Sequence, residues 1–140
     1  MSRYVLDSDI LSLLQHNHAA VRARFLAHTS DELCVAVVTV DEQLRGWYTL
    51  VRSAKKRDQL ALAYANLAKS ISFLSKATIL PFDEATIDRF EQLKKLKLGI
   101  GSPDLRLAAT ALEVKAIAVT RNLRDFTAIP GLVVEDWSRL

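Results

Sequence analysis

Four acidic positions stand where short apolar runs give way to helical patterns, and their residue types suggest one chemistry. Asp7 follows Tyr4-Val5-Leu6, and Glu42 lies just beyond the run Leu33 to Val38. Asp104 opens a helix after Gly101-Ser102-Pro103, and a loop bearing Thr120, Asn122 and Asp125 follows the run Ala116 to Val119. Apolar runs of this length read as buried strands, and in an open parallel sheet ligands bind beyond the strands' C-terminal ends. Carboxylates brought within a few ångström repel one another and cannot all ionise unless a cation comes between them. Oxygen donors without His or Cys select a hard divalent ion, Mg²⁺ or Mn²⁺, rather than zinc. Such an ion keeps waters and shares phosphate oxygens with its substrate, so the indicated chemistry is metal-assisted hydrolysis of a phosphodiester or phosphoanhydride.

Each acid also has a local explanation. One of Asp7, Ser8 or Asp9 can cap the helix that begins with Ile10, Leu13 and Leu14. Thr39-Val40-Asp41-Glu42 matches a capping box, in which Thr39 and Glu42 bond each other's backbone amides. Ser102 suits an N-cap, Pro103 the first helical position, and Asp104 the first turn, where the helix dipole favours a carboxylate. Asp41 is expected to point away from Glu42, since adjacent helical residues do not share a face. Local capping accounts for each acid singly; it does not account for their recurrence at strand ends.

The elements that must position these residues follow from hydrophobic periodicity. Strands are expected over 3–6, 33–38, 77–82, 116–119 and 132–134, with Trp137 as a packing residue. Helices are expected over about 19–27, from Thr39 through Leu44, Trp47, Tyr48 and Val51, and from Asp83-Glu84 through Ile87, Phe90, Leu93 and Leu96. A helix from Ser102 buries Leu105, Ala108, Ala109 and Leu112. Leu60, Tyr64, Leu67, Ile71 and Leu74 define one long amphipathic helix, while Leu62, Ala63 and Phe73 spill onto a second face suited to a groove or dimer contact. This alternation predicts an α/β/α sandwich with a central, mainly parallel sheet.

Composition bounds the function. The 140 residues, half of them apolar, suffice for one buried core and suggest a single domain over 1–140. A formal charge of +3 is compatible with a polyanionic partner without establishing one. With no leader pattern and no apolar run of membrane-spanning length, the expectation is a cytoplasmic protein without membrane contact. Cys34, the sole cysteine, lies inside an apolar run and reads as a buried, inert thiol. His16, His18 and His28 have no acid or cysteine at ligand spacing, which argues against a zinc site or a histidine triad. The basic run Arg52, Lys55, Lys56, Arg57 reads as a solvated face and a secondary phosphate candidate.

Four segments together resemble the PIN domains, and within them the single-domain VapC-type toxins of toxin–antitoxin modules. They are Tyr4-Val-Leu-Asp-Ser-Asp-Ile, Val38-Thr-Val-Asp-Glu-Gln-Leu-Arg-Gly, Ile100-Gly-Ser-Pro-Asp-Leu-Arg-Leu-Ala-Ala-Thr-Ala-Leu, and Val119-Thr-Arg-Asn-Leu-Arg-Asp-Phe, followed by Pro130-Gly-Leu and Trp137. The resemblance implies a Mg²⁺- or Mn²⁺-dependent endoribonuclease, homodimeric, held inactive by a small VapB-like antitoxin through which alone it meets DNA. It places Asp7, Glu42 and Asp104 on the family's three most constant acids. Ser8 stands where a Thr is frequent, and Asp9 where an Asn is frequent, which adds a negative charge to the pocket. Asp125 is favoured for the fourth acid, with Thr120 and Asn122 as hydrogen-bonding pocket residues. Arg45, Arg106, Arg121 and Arg124 are the nearest cations for the RNA backbone. Two other readings compete. One is a PIN-like scaffold that binds RNA or protein without cleaving; the other is a receiver-like phosphoacceptor domain, for which Asp83 is a weak match and no lysine follows Val134.

Overall fold

Side-chain alternation along five short strands sorts the core into two layers. In the computed structural model, which describes residues 2–28 and 33–139, Val5, Cys34, Ala36 and Ala118 point to one side of the sheet. Leu6, Leu33, Val35 and Val119 point to the other. The elements run β1 (Tyr4–Leu6), α1 (Ser8–Gln15), α2 (Ala19–Leu26), β2 (Leu33–Ala36), α3 (Val37–Ser53), α4 (Arg57–Leu74), β3 (Thr78–Leu80), α5 (Glu84–Lys95), α6 (Ser102–Glu113), β4 (Ile117–Val119), α7 (Leu123–Phe126) and β5 (Val134–Glu135). The first layer is filled by Phe90 and Leu93 of α5, Leu105 to Ala111 of α6 and Phe126 of α7. The second is filled by Ile10, Leu11 and Leu14 of α1, Val21 of α2, Leu74 of α4 and Trp137. A sheet covered on both faces explains why β1, β2 and β4 are apolar throughout instead of alternating with polar residues.

The strand order is β3-β2-β1-β4-β5, and every pairing is parallel. The chain therefore winds outward from β1 to one edge, crosses back, and continues on the other side of β1. The order reverses between β1 and β4, and this switch point opens a crevice beyond the strand ends, where ligands bind in sheets of this kind. A receiver domain orders its strands 2-1-3-4-5, so the phosphoacceptor reading is excluded by topology. Asp83 also proves to be the exposed N-cap of α5, accepting from the Thr86 amide at 3.0 Å and hydroxyl at 2.8 Å.

Several local expectations are corrected. Strand β2 ends at Ala36, two residues early, and Val37 is already helical. The N-cap of α3 is Ala36, with no side-chain cap bond, so the Thr39–Glu42 capping box does not form. Val38 and Val40 each have a core layer to cover, on opposite sides, and that burial outweighs the local capping preference. Helix α6 likewise starts one residue early, with Gly101 as N-cap, Ser102 already helical and Pro103 second. Strand β5 lies at Val134–Glu135, later than expected, because the Thr120 amide pairs with the Glu135 carbonyl at 2.9 Å.

The α4 stripe is the largest departure. Its buried residues are Ala63, Ser70 and Leu74, while Leu60, Tyr64 and Ile71, expected in the core, are exposed together with Leu62. The helix packs along α3 and reaches the sheet only through its last turn, so its middle has no core to cover. In α5, Thr86 replaces Ile87 on the buried face, and Leu96 is exposed.

Cys34 and the three histidines are structural. Burial pushes the Cys34 thiol up, away from thiolate reactivity. His18 caps α2, His16 bonds the Ser12 carbonyl, and His28 stacks on Trp137 with ring centroids 4.8 Å apart. Trp137 is wholly buried, tilted against Tyr4, and donates through Nε1 to Glu135 Oε1 at 3.0 Å. Trp137→Ala is expected to cost about 3–5 kcal/mol, read from the midpoint of urea unfolding with an unchanged slope.

Candidate active site at the sheet switch point

Asp7 is fixed by the sheet before it can do any chemistry. Its amide donates to the Val119 carbonyl of β4 at 3.0 Å, which holds it at the switch point. Its Oδ1 accepts from the Ile10 amide at 2.8 Å as the N-cap of α1. The capping explanation is therefore correct and incomplete: Oδ1 serves the helix, and the same carboxyl is also bonded by Thr120 and feels the charge of Asp104. Burial is the main cause that raises the Asp7 carboxyl above the ordinary aspartate range, and the charges of Asp9 and Asp104 add to it. Hydrogen bonds from the Thr120 hydroxyl and the Ile10 amide oppose the rise.

Glu42 arrives from the second turn of α3. Without a capping box to occupy it, its carboxylate is free, and it is raised by desolvation, then by Asp104, Asp41 and Asp7, with Arg106 lowering it. Asp41 is tied up in an exposed ion pair with Arg45 at 3.0 Å. This fits the expectation that Asp41 turns away, and it also engages Arg45, which the structure does not bring to the acids.

Asp104 and Asp125 complete the group. Asp104, half-buried in the first turn of α6, is raised by desolvation and then by the charge of Asp125, while a hydrogen bond from the Asn122 side chain lowers it. The side-chain amide of Asn122 also donates to Asp125 Oδ2 at 3.0 Å, so Asn122 spans the two acids. Asn122 is the N-cap of α7 and accepts from the Asp125 amide. Its own amide bonds the Thr120 hydroxyl at 3.0 Å, and Thr120 is fully buried. Asn122 and Asp125 thus act as one unit, an arrangement in which neither residue displaces the other.

Asp9 does not add a net charge to the crevice. The Arg121 guanidinium grips it through two bonds, Nε to Oδ2 at 2.6 Å and Nη2 to Oδ1 at 3.0 Å, the bidentate geometry that favours Arg over Lys. The extra acid comes with its own counter-ion. The sequence carries the signal as an acid at position 9 and an arginine at 121, but only the β1–β4 pairing reveals that they meet. Ser8, at the first position of α1, lines a shallow cleft with Gln43, Gly46 and Trp47 of α3.

Asp104 thus lies within electrostatic reach of acids from three other segments, Asp7, Glu42 and Asp125. Among the described residues no three metal-ligating side chains close into a ready-made metal shell. The donor set, all oxygen and mutually repelling, nevertheless suits a hard cation that keeps waters and shares ligands with a substrate.

The PIN domain profile matches residues 4–132, and the chain belongs to the PIN domain family. Within that family it is 29% identical over 143 residues to the tRNA(fMet)-specific endonuclease VapC of Shigella flexneri, covering 99% of this chain and 100% of that one. It is 30% identical over 142 residues to the ribonuclease VapC2 of Haemophilus influenzae, covering 98% and 99%. Its fold superposes on the DNA-bound VapBC structure from Salmonella typhimurium with a TM-score of 0.80 at 25% identity, over 98% and 99% of the two chains. Among the described residues no helix is long and apolar enough to cross a membrane.

The raised acids set a pH dependence. A carboxyl whose folded pKa exceeds its unfolded value favours the fold below the unfolded value, and that contribution is lost as pH rises through the folded one. In metal-free protein Asp104→Asn is therefore expected to raise the Tm at pH 7 by an amount on the order of a few °C. The gain should vanish towards pH 4, where unfolded carboxylates protonate; a pH series of thermal melts in EDTA reads both ends.

Proposed function

We propose that this chain is an endoribonuclease toxin that hydrolyses RNA phosphodiester bonds with Mg²⁺ or Mn²⁺ and is restrained in the cytoplasm by a small VapB-like antitoxin. The observation that carries the reading is the convergence on Asp104 of acids from three other segments: its charge acts on Asp7 and on Glu42, and that of Asp125 acts on it. The names of its full-length relatives, an endonuclease and a ribonuclease, support the same substrate class. Retention of all four acids favours cleavage over a silent binding scaffold.

In this reading Asp7, Glu42, Asp104 and Asp125 hold the divalent ion. When bound, the ion supplies neutralisation of charge developing on the phosphoryl oxygens and a lowered pKa for attacking water. The chain's own residues provide orientation. Asp7 offers the oxygen not engaged by Ile10, and the buried Thr120 hydroxyl steadies it. Asn122 holds Asp104 and Asp125 at a fixed separation, so two repelling carboxylates keep one geometry through binding. Glu42, at the end of a free side chain on the crevice rim, adjusts to the occupant.

The antitoxin is assigned to the exposed apolar surface of α4, where Leu62 is 62% exposed on one flank of buried Ala63 and Tyr64 55% on the other, a surface larger than scattered surface residues require. A likeness to a VapBC complex supports a toxin–antitoxin assembly. The chain is taken to act as a homodimer, with DNA reached only through the antitoxin.

Asp104→Asn is expected to reduce Mg²⁺-dependent cleavage of RNA by more than the roughly 100-fold cost of losing a supporting group around a metal. Mg²⁺ should raise the Tm of the wild type and leave that of Asp104→Asn nearly unmoved. Unchanged cleavage by nuclease-free Asp104→Asn overturns the site. Leu62→Lys combined with Tyr64→Lys is expected to weaken inhibition by the antitoxin and spare cleavage, measured by titrating the inhibitor; inhibition at full strength overturns that surface.

A further inference from the structure

Four arginines lie near the acid crevice in sequence, and the structure separates them by what they already hold. Arg45 is paired with Asp41 and Arg121 with Asp9. Arg124 is exposed and is not among the groups that shift Asp7, Glu42 or Asp104. Arg106 alone combines the two properties a substrate-binding cation needs. Its charge reaches Glu42, and among the described residues no carboxylate lies within ion-pair distance of it.

Arg106 is also held in place by an aromatic ring. Its guanidinium carbon lies 5.3 Å from the centroid of Phe90, and Lys94 Nζ lies 5.4 Å from the same centroid. Both distances fall within the range of cation–π attraction. Lys94 comes from the last turn of α5 and Arg106 from the first half of α6, so the close packing of α5 on α6 brings them together over one ring. Two like charges sharing a ring raise the local positive potential, and among the described residues neither is in an ion pair. Arg89, the residue just before Phe90 on α5, is by contrast neutralised by Glu113 at 2.7 Å.

We infer that Lys94 and Arg106, mounted on Phe90, form a two-cation clamp for the phosphate backbone of single-stranded RNA as it leaves the acid crevice across the α5–α6 face. This rests on the RNA-cleaving reading and adds the direction of the strand and the residues that hold it. Phe90 is 9% exposed, so its ring is covered and offers no platform for a base. The contact is therefore with phosphate and carries no sequence preference, as backbone contacts position a strand without reading it. Arg106 joins the clamp to the crevice, because its charge acts on both sides.

The test is fluorescence anisotropy of a labelled single-stranded RNA oligonucleotide over a series of NaCl concentrations in EDTA, followed by steady-state cleavage in Mg²⁺. Lys94→Ala and Arg106→Ala are each expected to weaken binding about fivefold, equally for oligonucleotides of different sequence. Each should reduce the slope of log affinity against log salt by about 0.7. For Lys94→Ala the KM rises by the same factor with kcat unchanged, and Lys94→Arg restores the affinity and the KM. Lys76→Ala, exposed on the turn between α4 and β3, serves as the charge-matched control. If wild-type protein binds and cleaves RNA while Lys94→Ala keeps the wild-type slope and KM, or matches the control, the clamp is wrong and the nuclease reading stands. If wild-type protein neither binds nor cleaves RNA, both fall. Matching thermal melts of wild type and Lys94→Ala exclude misfolding as the cause of a loss.

Discussion

Repulsion among carboxylates that the backbone will not let separate is the constraint on which this structure turns. Asp7 is tied to β4 through its own amide, Asp104 to the first turn of a helix buried on nearly all sides, and Asp125 to a short helix anchored by the fully buried Phe126. None of these positions can relax without disturbing the core. Burial first, and then this repulsion, holds the Asp7, Glu42 and Asp104 carboxyls above their ordinary range. Titratable groups perturbed in this way cluster at functional sites. The all-parallel sheet supplies the rigidity: its strands are short, but both faces are packed, and the reversal of strand order leaves the crevice between β1 and β4.

Much of this was legible from residue order alone. Apolar runs ending in Asp7, and in the loop of Thr120, Asn122 and Asp125, marked the switch-point edge because strand ends are local features. The layers were legible too, since continuous apolar strands demand cover on both faces. Glu42 and α4 were read less well, for related reasons. The Thr39–Glu42 box is a sound local pattern, yet Val38 and Val40 each had a core layer to cover, and burial of those side chains outweighs a cap worth about 1 kcal/mol. The apolar stripe of α4 looked like a core face because periodicity reports that a face is apolar without saying what covers it. Here α3 takes the contact that the sheet was expected to provide, and Tyr64 and Ile71 are left exposed.

Ion pairs between distant segments were the least legible feature. Asp9 and Arg121 are 112 residues apart, and their bidentate contact exists because β1 and β4 are neighbours. The same holds for Lys94 and Arg106, whose proximity depends on how α5 packs on α6. A charge count assigns both acids and cations to the crevice; the structure divides the cations into those already committed and those still available. That division decides where a polyanion can lie.

The shared duty of Asp7 has a consequence for how loss-of-function variants at this position are read. Because its Oδ1 caps α1 while the proposed function also gives the carboxylate a share in holding the cation, an alanine there removes a folding signal together with the proposed functional one, and inactivity by itself would not tell them apart. Asparagine is as good an N-cap as aspartate, so Asp7→Asn keeps the helix start and removes only the charge. Glutamate keeps the charge but, being longer, misplaces the cap. The cap and the charge are therefore chemically separable at a single atom pair, and the identity of the replacement, more than the position, determines which of the two an experiment on this residue measures.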